Sequence, residues 1–290
     1  MTFVCAFLLK RVQGKKLTAT VEIICIGNEL LIGKTLNTNA QWLAKRVTDL
    51  GLTTQRITVV SDNIDEIVSA IQEAIQRSPS FLLITGGLGP TFDDKTLEGL
   101  AKALGRKTEV NQTALKMVKQ KYVSYASEGR MDAAELTPAR VKMATIPEKT
   151  TPVHNPTGTA PAVKVLHKNV TVFALPGVPS EMKSIFDASV APLFQQAASG
   201  VTFFEASITA TNVMESAMAP FIDKVMKNNP HVYIKSHPQG TERVPIIEFH
   251  FSTTAENKTE ARNRVSNAIV QLTEFVHEKG GTAVPVKSET

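Results

Sequence analysis

The chain has 290 residues, 42% of them hydrophobic and 20% charged, the proportions of an ordinary globular protein long enough for a full α/β domain and a smaller unit. No apolar run reaches the roughly eighteen residues of a membrane-spanning helix, and the two cysteines, Cys5 and Cys25, form no CxxC pair, which argues against a disulfide framework and a thiolate zinc site. The net charge of +5 is concentrated at the start, where Lys10, Arg11, Lys15 and Lys16 stand without an acid, so the rest is near neutral and gives no electrostatic reason to expect a nucleic-acid groove.

In chain order, MTFVCAFLL resembles the apolar core of a signal peptide, but its positive charges follow that core and no A-x-A site appears. Residues 1–20 therefore read as an N-terminal extension, and the expected compartment is the cytoplasm. The β-branched run Val21 to Ile26 predicts a strand that stops at Gly27. Asn37-Thr38-Asn39 then opens a helix with Ala40, Leu43, Val47 and Leu50 on one side, closed by Gly51. Arg56 to Val60 predicts a second strand, and Ser61-Asp62-Asn63 caps a helix whose apolar face is Ile64, Ile67, Val68, Ile71 and Ile75. Phe81-Leu82-Leu83-Ile84, apolar without alternation, reads as a strand covered on both faces. A helix is expected over 93–104, with Asp93 in the N-cap place and Gly105 as C-cap. Strand, helix, strand, helix, strand, helix with short connections is the pattern of a mostly parallel sheet with helices on both faces, a three-layer α/β fold.

Residues 111–145 look helical and more polar, an excursion from the sheet. Pro161 to Leu166 and Val170 to Leu175 predict a hairpin, followed by a helix from Ser180 to about Ala198, and Ser199-Gly200 marks the boundary between an α/β domain (21–200) and a small α+β domain (201–290). In the latter the expected order is strand 203–211, helix 213–228, strands 231–236 and 245–251, and a long amphipathic helix 256–278.

In an open parallel sheet, ligands bind where loops leave the carboxyl ends of the strands. Glu29 follows the first strand, Asp62 the second, and the third runs into TGGLGPTFDD with Asp93 and Asp94. Taken singly, Asp62 and Asp93 are helix caps and Glu29 a solvated charge. Together they mean more, because the glycines Gly86, Gly87 and Gly89 let backbone amides approach a phosphate while carboxylates repel it unless a divalent cation lies between. Asp62 and Asp94 are then the expected ligands of Mg²⁺, Mn²⁺ or Co²⁺, with Glu29 a further ligand or the base aligning water, and Asp93 competing with Asp94. This requires acids from three loops to converge on one ion. Thr91 and Ser180 offer hydroxyls, and the loops holding Asn155, Gly158 and Gly177 complete the ligand-binding set. The chain lacks HxxxH pairs, a GxSxG elbow and a GxxxxGK[ST] loop, which removes zinc-hydrolase, serine-hydrolase and P-loop readings.

GNELLIGKTLNTNAQWLA, VVSDN, TGGLGPTFDD, NPTGTAPA and LPGVPSEM, in this order, resemble the molybdopterin-binding fold family and most closely its CinA-like branch. The resemblance implies that acidic residues at Glu29, Asp62 and one of Asp93/Asp94 serve metal binding and catalysis, that the GGxGPT loop meets phosphate, and that a KH-like domain follows. It implies metal-dependent hydrolysis of a nucleotide diphosphate linkage, ADP-ribose to AMP and ribose-5-phosphate being the first candidate. The alternatives are a molybdopterin adenylyltransferase-like enzyme or a nucleotide- or pterin-binding protein without turnover. The amidohydrolase domain of full-length CinA proteins has no counterpart in these 290 residues, so deamidation is not expected. A GxxG loop between helices is absent, so the expected partners are a small nucleotide and a second copy of the chain in a homodimer, with neither nucleic acid nor membrane.

Overall fold

The computed structural model describes residues 19–130, 135–198, 200–241 and 244–286. Most of the N-terminal extension, with Cys5, and Ser199 at the expected boundary lie outside these residues. The chain forms two compact units, the first ending at Ala198.

The first unit runs β1 (Thr20–Ile26), α1 (Asn28–Leu31), α2 (Thr38–Asp49), β2 (Thr53–Val60), α3 (Ile64–Arg77), β3 (Phe81–Gly86), α4 (Thr96–Ala103), β4 (Thr108–Val110), α5 (Gln112–Ser127), α6 (Pro138–Lys142), β5 (Thr145–Pro147), β6 (Thr151–Val153), β7 (Ala162–His167), β8 (Val170–Pro176), α7 (Pro179–Ile185) and α8 (Ala191–Ala197), the last two joined by a π-helical turn, Phe186–Val190. Its main sheet has the order β2-β1-β3-β8-β7-β6. The first four strands are parallel, and β7 and β6 close the edge antiparallel.

β3 is buried along its whole length, as its unbroken apolar run requires. On one face Ile24, Leu82, Ile84 and Val172 pack in a core with Ile67, Ile71 and Ile75 of α3 and Leu97 and Leu100 of α4. On the other, Phe81 packs against Phe194 of α8 at 4.5 Å between ring centroids with the rings tilted, and Phe194 meets Phe186 edge-on at 5.5 Å. Helices therefore cover both faces, the three-layer α/β arrangement. One charge is buried among these strands. Glu22 is 2% exposed and receives a two-pronged hydrogen bond from Arg77 at the end of α3, Nε to Oε1 and Nη2 to Oε2 both at 2.8 Å.

The excursion is less helical than its composition suggests. α5 and the short α6 are flanked by β4 and β5, which pair antiparallel as a separate two-stranded sheet.

The second unit runs β9 (Thr202–Thr211), α9 (Glu215–Asn228), β10 (Val232–Pro238), β11 (Ile246–Ala255), α10 (Lys258–Glu278) and β12 (Thr282–Pro285). Its four-stranded sheet, β10-β11-β9-β12, is antiparallel throughout. The expected small α+β unit is thus built as βαββαβ, the split βαβ arrangement. Phe249 and Phe251 of β11 pack with Met218 and Ile222 of α9 and Val265 and Leu272 of α10, leaving alternate strand residues on the sheet's other face.

Candidate functional site

The loops leaving the carboxyl ends of β1, β2, β3 and β8 enclose a cleft of about 450 Å³. It is lined by Glu29, Asp62, Asp93, Asp94 and Glu181, together with Gly86, Gly87, Gly89 and Gly177. Among the described residues no lysine, arginine or histidine lines it.

Each carboxylate is held differently. Glu29 lies in the single turn α1, exposed, and no hydrogen bond or ion pair engages its side chain among the described residues. Asp62 is not the helix cap its position suggests. Asn63 caps α3 by accepting from the N–H groups of Asp65 and Glu66, which leaves Asp62 Oδ2 to accept from the Asn28 N–H at 2.9 Å. The loops after β1 and β2 are thereby tied together.

Asp93 does not cap a helix either, because α4 begins at Thr96 with Lys95 in the cap position and no side-chain cap. Residues 91–94 instead form a turn closed on itself. Asp94 Oδ2 accepts from the Thr91 N–H at 2.8 Å and lies 2.7 Å from the Thr91 hydroxyl, which also reaches Asp93 Oδ1. That contact with the Thr91 hydroxyl is the main reason the Asp93 carboxyl is held below its ordinary range, with its own backbone N–H and the charges of Lys142 and Lys95 adding to it. Behind the turn, Lys142 at the end of α6 donates to the carbonyl oxygens of Thr91 and Asp94, the latter at 2.9 Å.

The glycines make room for Asp94. A Cβ on Gly87 would overlap its carboxylate and lie 2.9 Å from its Cα, and a Cβ on Gly89 would lie 2.8 Å from its Oδ2. The N–H groups of Gly87, Leu88 and Gly89 donate to no group among the described residues, so three consecutive amides at the end of β3 stand ready for an acceptor.

The remaining expected residues lie differently. Thr91 positions the two aspartates and does not line the cleft. Asn155 is 4% exposed, and its amide is engaged within the protein: Nδ2 donates to Ala160 O at 2.9 Å and Glu181 Oε2 at 2.6 Å, while Oδ1 accepts from the Gly158 N–H at 2.7 Å. Asn155 and Gly158 instead line a smaller cavity of about 180 Å³ beside α5. Ser180 is exposed, outside both linings, and does not cap α7.

Sequence reasoning missed Glu181 and Lys142. Glu181 follows β8 as Asp62 follows β2, so the strand-end rule that found the others points to it too. Lys142 carries no such signal, since it meets the loop only through tertiary structure.

A cage of acids around one ion is not what the structure shows. Among the described residues no three His, Cys, Asp or Glu side chains stand close enough to hold a metal together. Asp62, Glu29, Asp94 and Glu181 sit in the segments that follow four successive strands, β2, β1, β3 and β8, and three of them are turned to partners of their own: Asp62 to the Asn28 N–H, Asp94 to Thr91 and Glu181 to Asn155. Such hard oxygen donors suit a divalent cation taken by one or two carboxylates and completed by water and a ligand phosphate, and do not suit a cage of three protein ligands.

Residues 22–196 match a family model described as a probable molybdopterin binding domain. The chain belongs to this family. Within it the chain is CinA-like: a crystal structure of the protein CinA, of unknown function, from Thermoplasma acidophilum superposes with a TM-score of 0.55 at 39% identity, covering 61% of this chain and 98% of that one. A protein from Sulfurisphaera tokodaii is 43% identical over 264 residues, 91% of this chain and 97% of its own length, and one from Pyrobaculum arsenaticum is 42% identical over 263 residues, 90% and 96%.

Proposed function

We propose that the cleft binds a phosphate-bearing pterin or nucleotide together with a divalent cation. The observation that supports this best is the run of three amides, Gly87, Leu88 and Gly89, that have no acceptor among the described residues, in a cleft that the described residues line with five carboxylates and no cationic side chain. Amides invite an anion and the carboxylates repel it, and a cation such as Mg²⁺, Mn²⁺ or Co²⁺ resolves the conflict. Asp94, with Glu29 or Asp62, would hold that ion, which would neutralise the phosphate charge. The chain's own part is to orient the ligand: the amides after β3 fix the phosphate, the Thr91 turn and Lys142 fix Asp94, and Asn28 fixes Asp62.

The test is binding of ADP-ribose and ADP with Mn²⁺ and with chelator, followed by thermal melting. Ligand at a hundred times its Kd should stabilise the first unit by about 2.7 kcal/mol with Mn²⁺ present. Binding that is unaffected by chelator, or absent under both conditions, refutes the proposal.

A second reading is turnover, favoured by Glu29, whose carboxylate no group among the described residues engages. It could accept the proton of a water attacking one phosphorus of ADP-ribose, so that the anhydride P–O bond breaks and AMP and ribose-5-phosphate leave. Chromatography for AMP distinguishes this from binding alone.

A further inference from the structure

We infer that Glu181 is a second recognition residue of the cleft, accepting hydrogen bonds from a donor-bearing part of the ligand, such as a vicinal diol, one strand away from the phosphate loop. The inference rests on the proposed phosphate site and adds the chemistry of the ligand's other end.

Glu181 stands in the first turn of α7, where the helix dipole favours a carboxylate anywhere in the turn and explains nothing about its direction. Three features do bear on direction. Its Oε2 is held at 2.6 Å by the side-chain amide of the buried Asn155, whose other amide proton goes to Ala160 O and whose carbonyl is taken by the Gly158 N–H. A buried amide so fully engaged cannot turn, so it fixes the carboxylate it touches. The loop passes so close that a Cβ on Gly158 would overlap the Glu181 carboxylate, and Gly158 is a glycine. Finally, Glu181 lines the cleft and forms no ion pair among the described residues, so its only side-chain partner there is a neutral amide.

An ionised carboxylate is an acceptor with room for about four hydrogen bonds, and one amide proton leaves most of that capacity unused. Because β8 is the immediate neighbour of β3, with Gly86 opposite Pro176, a ligand whose phosphate lies on the Gly87–Gly89 amides extends naturally across to Glu181. What meets it must donate. A ribose diol or an amino edge does so, and a second phosphate does not.

The experiment is titration calorimetry of the full chain with ADP-ribose and, separately, with inorganic pyrophosphate, each with Mn²⁺, for wild type, Glu181→Gln and Glu181→Ala. Pyrophosphate carries the anion without the diol. Both variants should weaken ADP-ribose about ten- to a hundredfold, the scale of hydrogen bonds to a charged group, and leave pyrophosphate within about twofold. Parallel weakening of both ligands would make Glu181 a cation ligand or a prop for the cleft and overturn the inference, as would unchanged ADP-ribose affinity. Wild type that binds pyrophosphate but not ADP-ribose sinks the role of Glu181 alone. Wild type that binds neither sinks the phosphate site as well.

Discussion

Gly87→Ala tests the packing on which the site depends, because two effects predict opposite signs. Gly87 is not in the left-handed region, so at an unobstructed position alanine would stabilise by about 0.4–1 kcal/mol through the unfolded chain. The structure says the position is obstructed. The new methyl would overlap the Asp94 carboxylate and lie 2.9 Å from the Asp94 Cα, and rotating the side chain does not move that atom. The backbone of the 91–94 turn has to shift, at the cost of an overpacked site, about 1–3 kcal/mol. For a unit of this size that is a fall in Tm of about 2–12 °C. Gly89→Ala is the internal comparison, since its Cβ would meet only the carboxylate end of Asp94. Its cost should be smaller and should largely vanish in Gly89→Ala/Asp94→Gly, whereas Gly87→Ala/Asp94→Gly should keep most of its penalty. Scanning calorimetry on the four variants gives the stabilities, and ADP-ribose titration with Mn²⁺ should show weaker binding in every one, because each displaces or removes the Asp94 carboxylate. A Gly87→Ala protein that melts at or above the wild-type temperature would mean that the loop does not wrap Asp94.

Lys142→Ala should free the Thr91–Asp94 turn, lowering stability by about 1–2 kcal/mol in denaturant unfolding and weakening the ligand, with partial rescue by Lys142→Arg; wild-type affinity in the alanine variant would mean the clamp is idle. Arg77→Met leaves Glu22 buried without its partner, at a cost of about 2–3 kcal/mol, below the full value for a buried pair because Arg77 is 32% exposed; the double variant Glu22→Gln/Arg77→Met should recover much of the loss in urea unfolding. Divalent cation without ligand should leave Tm within about 1 °C, since stabilisation follows occupancy and the described residues hold no three-carboxylate site for an ion; a large rise with Mn²⁺ alone would contradict the geometry. His167 is held below its ordinary pKa first by burial, then by Arg106 and Lys168. The unfolded chain therefore takes up the proton first, so stability is full above the unfolded value of about 6.5 and falls as pH drops from there toward the lowered folded value. Urea midpoints at pH 7.5 and 5.5 should differ less in His167→Gln than in wild type.

How much of this was legible in the sequence depended on the length of each signal. β3 and α3 were readable because an unbroken apolar run and a face of four isoleucines and a valine leave little choice of structure. β4, β5 and β6 were not, because three residues cannot display a period, and β12 was not, because Thr282–Pro285 makes sense as a strand only once β9 offers an edge. In the site, the strand-end rule located every acid that lines the cleft except Glu181, which it could also have named. What does not hold is the cap reading of Asp62 and Asp93. Cap preference depends on one residue of register, and Asn63 and Lys95, rather than Asp62 and Asp93, occupy those places. Freed from capping, both aspartates remain available to the cleft.

The same strand-end rule could not say how the carboxylates are aimed. Asp62 is turned to the Asn28 N–H, Asp94 to Thr91 and Glu181 to Asn155, and among the described residues no three acids come together on one ion. What a row of carboxylates along a sheet edge can do is meet an elongated ligand at several points, with the bare amides of Gly87, Leu88 and Gly89 between Asp62 and Glu29 on one side and Glu181 on the other. The ion then belongs as much to the ligand as to the protein, and its affinity should track the number of phosphates the ligand brings. ADP-ribose and pyrophosphate should retain Mn²⁺ at the cleft more tightly than AMP does, measured by the relaxation of water protons around bound Mn²⁺. Equal retention with all three would place the ion on the protein alone and require a set of ligands that these four strands do not bring together.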